Sequence, residues 1–102
     1  MKTNVIAALI VALIGGIGTA AAGDAGAGKA KFAVCAGCHG PTGAGNEALK
    51  YPKLSGLEAA YVKQQLVAFK SGARDNATMK AMTAGLSDAD IDNLSAYIAT
   101  MK

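Results

Sequence analysis

Both cysteines and the single histidine of this 102-residue chain fall within one short stretch, Cys35-Ala36-Gly37-Cys38-His39. A Cys-x-x-Cys-His run is the signature of covalent haem attachment. Two residues between the thiols let each cysteine reach one vinyl group on the same edge of a haem. A histidine immediately after Cys38 is then held on one face, where its imidazole can bind iron. Other chemistries fit less well. A thioredoxin-like Cys-x-x-Cys calls for a βαβ pattern, and no stretch alternates cleanly enough to suggest strands. A Cys35–Cys38 disulfide would close a very small loop, stabilise little and leave His39 without a role. A zinc site needs about four ligands, so two cysteines and one histidine would have to recruit Asp or Glu.

The rest of the chain explains why such a group would be needed. Residues are 52% hydrophobic overall, but much of this lies at the start. After Lys2 no charge occurs until Asp24, and the interval runs through Val5-Ile6-Ala7-Ala8-Leu9-Ile10-Val11-Ala12-Leu13-Ile14 to Thr19-Ala20-Ala21-Ala22. A basic start, a short apolar stretch and a small-residue end make a secretory signal peptide, with the cut expected after Ala22. The competing reading is an uncleaved membrane anchor, since the uncharged run is just long enough to span a bilayer. No cysteine lies near the cut, which excludes a lipid anchor on an N-terminal Cys. Residues 23–102 then form one domain. Loss of Lys2 takes the net charge from +3 to +2, too mild for a nucleic-acid-binding face. There is no Trp, and a domain of this size is marginal on apolar burial alone. A buried cofactor would supply the missing core.

The expected elements are helices joined by glycine-rich loops. The first helix spans about Asp24 to Ala36, with Asp24 as its cap and Gly28, Phe32 and Cys35 on one face. Residues 40–54 hold Pro41, Gly43, Gly45 and Pro52 and read as a loop, long enough to wrap something. Ser55 and Glu58 form a capping-box pattern ahead of a helix to about Lys70, ended by Ser71-Gly72. Its apolar face is Leu57, Tyr61, Val62, Leu66 and Phe69. A short helix falls within 73–86, broken at Gly85. A second capping box, Ser87 with Asp90, opens the last helix. Its stripe Ile91, Leu94, Ile98 and Met101 has the first helix around Phe32 as its natural partner.

With these residues in view, the chain resembles the small bacterial class I cytochromes c across essentially all of 23–102. The segments that carry the resemblance are Cys35-Ala36-Gly37-Cys38-His39-Gly40, Tyr51-Pro52-Lys53-Leu54-Ser55-Gly56, Tyr61-Val62-Lys63-Gln64-Gln65-Leu66 and Leu86-Ser87-Asp88-Ala89-Asp90-Ile91. The first is highly specific; the others are weak singly but occur in the family's order. The resemblance implies an all-α cytochrome c-like fold, three to five helices around one covalently bound haem c. It also implies a periplasmic location, because c-type haem is attached outside the cytoplasm in bacteria. A methionine from the far loop is implied as second axial ligand. Met79, seven residues before Leu86, matches the family position, and Met82 is the runner-up. Core packing is the alternative for either. The Pro52 carbonyl is implied as acceptor for the ring nitrogen of His39 that does not bind iron. Arg74 and Tyr51 are candidate partners of a haem propionate, with plain exposure as the alternative.

The function implied is one-electron Fe(III)/Fe(II) transfer, with no open iron position for a substrate and hence no enzymatic activity. His/Met ligation raises the reduction potential. Partners would be periplasmic or membrane redox proteins. Lys29, Lys31, Lys50, Lys53, Lys63, Lys70 and Lys80 are candidates for a basic rim that steers acidic partners. Alternatives are a haem sensor or small haem enzyme with a displaceable sixth ligand, and a membrane-tethered subunit of a respiratory complex.

Overall fold

The computed structural model describes residues 23–102, so the expected leader, 1–22, lies outside the described residues. Among the described residues four helices follow one another, α1 Ala25–His39, α2 Ala59–Ser71, α3 Ala77–Thr83 and α4 Asp88–Ile98. No strand occurs among the described residues; the one β-type contact is an isolated antiparallel bridge between Asn46 and Tyr51.

The frame is the crossing of α1 with α4. Asp24 opens α1, its Oδ1 accepting from the backbone N–H of Gly26 (2.9 Å) and Ala27 (3.2 Å). Its own N–H donates to Asn93 Oδ1 on α4 (2.9 Å). Gly28 is where the helices touch most closely: a Cβ there would lie 2.0 Å from the Asn93 carbonyl oxygen. Only glycine permits that approach. One turn later Phe32 is buried, and its ring meets Tyr97 with centroids 5.4 Å apart. Phe32, Val62, Leu66, Ile91, Leu94, Ile98 and Met101 form the core. Each such side chain contributes roughly 1.5–3 kcal/mol by leaving water.

Helix α4 starts as its sequence dictates. Ser87 Oγ accepts from the Asp90 N–H (3.1 Å), and Asp90 Oδ2 accepts from the Ser87 N–H (3.0 Å), a complete capping box. The box expected at Ser55 and Glu58 does not form. Gly56 takes a left-handed φ of 85°, and its N–H donates to the Met101 carbonyl (2.9 Å), so this segment is a turn fastened to the chain's end. Helix α2 therefore begins at Ala59, with Glu58 at the cap position making no side-chain bond. It ends after Ser71 at Gly72, whose φ is 84°. Val62, Leu66 and Phe69 are buried, whereas Tyr61 is exposed. Helix α3 is capped by Asn76, whose Oδ1 accepts from the Met79 N–H (2.9 Å).

Candidate functional site

Helix α1 runs three residues further than its pattern suggests, to His39, because nothing breaks it before Gly40, where φ turns to 86°. The Cys-x-x-Cys-His run is thus the last turn and a half of a helix. Cys35 and Cys38 stand at i and i+3, and His39 at i+4 from Cys35, so all three project from neighbouring positions on one side. Both thiols are free. Burial pushes the Cys35 thiol above its ordinary value, a backbone hydrogen bond opposing and Cys38 adding to the shift. A nucleophilic redox cysteine needs the opposite, a depressed value that favours thiolate.

His39 is buried, 6% exposed. Its Nδ1 lies 2.8 Å from the Pro52 carbonyl oxygen. A carbonyl can only accept, so Nδ1 carries the proton. In the neutral ring the free lone pair then sits on Nε2, to which no hydrogen bond is made among the described residues. A histidine with one nitrogen tied to a backbone carbonyl and the other bare is arranged as a metal ligand. No cluster of three His, Cys, Asp or Glu that could hold a bare metal ion occurs among the described residues. Two cysteines and one histidine suit haem, where the porphyrin supplies four nitrogens and the protein need add few donors.

The loop after His39 is closed by its own backbone. Gly45 N–H donates to the His39 carbonyl (2.8 Å), Gly43 N–H to that of Gly40 (3.1 Å), and the Leu54 and Ser55 N–H groups to Gly43 (2.7 and 3.1 Å). The Tyr51 ring stands tilted beside His39, centroids 6.4 Å apart. Hydrogen bonding with the Cys38 side chain, then its charge, holds the Tyr51 phenol above its usual value.

Of the methionines near α3, Met79 is half-buried and Met82 is exposed. The Met79 backbone is held at both ends, its N–H by Asn76 and its carbonyl by the Thr83 hydroxyl (2.8 Å). Thr83 is itself fully buried, so this turn is firmly seated. Arg74 turns back onto α2, donating to Gln65 Oε1 (2.6 Å) and lying 4.6 Å over the Phe69 ring. Three of the lysines proposed for a rim are engaged within the chain: Lys31 with Asp90 (3.6 Å), Lys63 with Asp92 (2.8 Å) and Lys70 with the Leu86 carbonyl. Lys29, Lys50, Lys53 and Lys80 are exposed. No helix among the described residues is long and apolar enough to cross a membrane.

A protein-family model described as Cytochrome c matches residues 25–102. Cytochrome c-554(547) of Halothiobacillus neapolitanus is 48% identical over 95 residues, covering 79% of this chain and all of that protein. A thiosulfate dehydrogenase electron acceptor of Thiomonas intermedia is 40% identical over 94 residues, covering 92% of this chain and 43% of that one. The crystal structure of reduced cytochrome c4 from Pseudomonas stutzeri superposes with a TM-score of 0.73 at 35% identity, over 79% of this chain and 52% of that chain. The chain thus spans the whole of the Halothiobacillus protein, 43% of the Thiomonas protein and about half of the cytochrome c4 chain.

Proposed function

This chain belongs to the cytochrome c family, and on that premise we propose that it is an exported, periplasmic one-electron carrier, active as residues 23–102 after cleavage behind Ala22. Haem c supplies the Fe(III)/Fe(II) couple when bound. Cys35 and Cys38 hold it covalently, and His39 Nε2 is the proximal ligand. The observation that carries this assignment is the His39 Nδ1–Pro52 contact of 2.8 Å, which fixes the tautomer and leaves the iron-binding nitrogen bare.

Met79 is the second ligand. Its half-buried position on an anchored turn supports it over exposed Met82. A neutral methionine sulfur among the iron's ligands would favour ferrous iron and a raised potential. Were His39 and Met79 both to hold the iron, no position would be left for a substrate, and the haem would supply only electron exchange with partner proteins. Donors and acceptors are exported redox proteins, a role in keeping with the name of the Thiomonas relative. Lys29, Lys50, Lys53 and Lys80 are the charges free to guide acidic partners; association should then weaken as salt rises.

The deciding experiment is the visible spectrum of the oxidised and reduced protein, expressed with haem-attachment machinery. A low-spin spectrum with the weak sulfur-to-ferric-iron band is expected. A high-spin spectrum, with carbon monoxide binding readily to the reduced form, would overturn the carrier reading in favour of a ligand sensor or small haem enzyme.

A further inference from the structure

The contact between His39 and Pro52 joins residues from opposite ends of a loop, and its length depends on what lies between. That place is taken by Gly45. Its N–H is bonded to the carbonyl of His39 itself. Its α-carbon faces the peptide that carries the acceptor: a Cβ would lie 2.6 Å from the Tyr51 carbonyl oxygen, 2.7 Å from Lys53 N and 2.8 Å from the Pro52 carbonyl carbon. All three are backbone atoms, which cannot swing aside as a flexible side chain does. The φ of Gly45 is 74°, a second reason for glycine.

Beyond Gly45 the chain closes on itself. Asn46 N–H donates to the Tyr51 carbonyl (2.8 Å) and Tyr51 N–H to the Asn46 carbonyl (2.9 Å). Inside that bridge, Leu49 N–H donates to Asn46 Oδ1 (3.2 Å) and Lys50 N–H to the Glu47 carbonyl (3.1 Å). Lys50 adopts a left-handed φ of 62°, rare for a side-chain-bearing residue and sustained here by the closed turn.

We propose that Gly45 and the Asn46–Tyr51 bridge form a backbone clamp that seats the Pro52 carbonyl on His39 Nδ1, making Gly45 and Asn46 positioning residues that tune the iron ligand without touching it. The proposal rests on His39 being that ligand. A tight Nδ1–H···O=C bond gives the imidazole more anionic character and favours ferric iron. Loosening the clamp exposes the Nδ1 proton and raises the reduction potential.

The test uses the haem-loaded protein, with solvent exchange of the His39 Nδ1 proton followed by NMR and the potential measured alongside. In Gly45→Ala the exchange should quicken roughly tenfold or more, as for a locally opened hydrogen bond, and the potential should rise. Gly56→Ala is the matched control: φ is 85° there, so it bears the same backbone strain, but a Cβ meets nothing within 4 Å. Should Gly45→Ala fail to fold, Asn46→Ala decides, since it keeps the spacer and removes only the acceptor for Leu49 N–H; a smaller shift in the same directions is expected. Exchange and potential that stay put in the clamp variant, or move no more than in Gly56→Ala, would overturn the clamp. A wild-type His39 ring without paramagnetic shifts in the ferric protein would overturn the ligand assignment itself, and the clamp with it.

Discussion

The α1–α4 crossing and the loops around His39 are held together by different means. At the crossing, close packing does the holding: Gly28 admits the Asn93 carbonyl, Phe32 meets Tyr97, and Ile91, Leu94 and Ile98 are almost wholly buried. Around His39, main-chain groups do it. Gly43, Gly45, Asn46, Tyr51, Leu54 and Ser55 bond to one another or to His39, and few apolar side chains there are buried. The crossing is therefore a frame that packs against itself. The loops are held by main-chain hydrogen bonds and carry the contact that orients His39. Damage to the loops should change the chemistry first, and damage to the crossing should change stability first.

The largest expected effect falls outside the frame, on helix α3, which like the loops would serve the haem. Met79→Ala should abolish the sulfur-to-ferric-iron band and lower the potential markedly, since axial ligands set haem potentials over a range of about 0.8 V. Met82→Ala should leave both nearly unchanged. A reversed result would move the sulfur ligand to Met82; helical circular dichroism should be little altered in either variant. On the frame side, Leu94→Ala empties a position that is 1% exposed and should cost about 2–5 kcal/mol in chemical denaturation, with the band intact in the folded fraction. Equal losses of potential and stability from both variants would break the distinction between frame and loops.

The same division decides what could be read from the sequence. The frame was legible because its causes are local and periodic. Ile91, Leu94, Ile98 and Met101 lie on one stripe and are all buried, and the Ser87–Asp90 box forms as written. The Cys-x-x-Cys-His run was legible because five adjacent residues state the geometry. Ser55 and Glu58 carry the same spacing as Ser87 and Asp90, yet form no box. The difference is Gly56, whose N–H is claimed by Met101 at the far end of the chain, a partner that no local pattern reveals. Pro52 was reached only through resemblance, since its bond to His39 spans a loop. Gly45 reads in the sequence only as loop composition: its role depends on how closely the 51–53 backbone approaches, and the only local sign is its pairing with Gly43, two glycines alternating in a segment that must turn sharply.

Gly28→Ala gives a smaller expected effect and tests whether the crossing is rigid. The added methyl would fall 2.0 Å from the Asn93 oxygen and 2.9 Å from Tyr97 Cβ, so the helices must part. A loss of about 1–3 kcal/mol is expected for such overpacking, with the potential held within error. A changed potential would mean that strain in the frame reaches the iron ligands, and the two regions would have to be treated as one.

The smallest effect lies at the start of α4. Ser87→Ala removes the hydroxyl that caps Asp90 N–H and should cost about 1 kcal/mol. The reciprocal bond adds a pH signature. The Ser87 N–H hydrogen bond, aided by Lys31 across the crossing, holds the Asp90 carboxyl below its ordinary value of 3.8. A group whose value is depressed on folding contributes stability in full above its unfolded value and loses it as the pH falls through the folded one. Thermal midpoints of the wild type should therefore decline as the pH drops below about 4, and Asp90→Asn should flatten part of that decline while its midpoint at neutral pH falls slightly. An unchanged acid slope in Asp90→Asn would mean that the carboxylate is not stabilised by its cap, and that Lys31 adds nothing to the hold of α4 on α1.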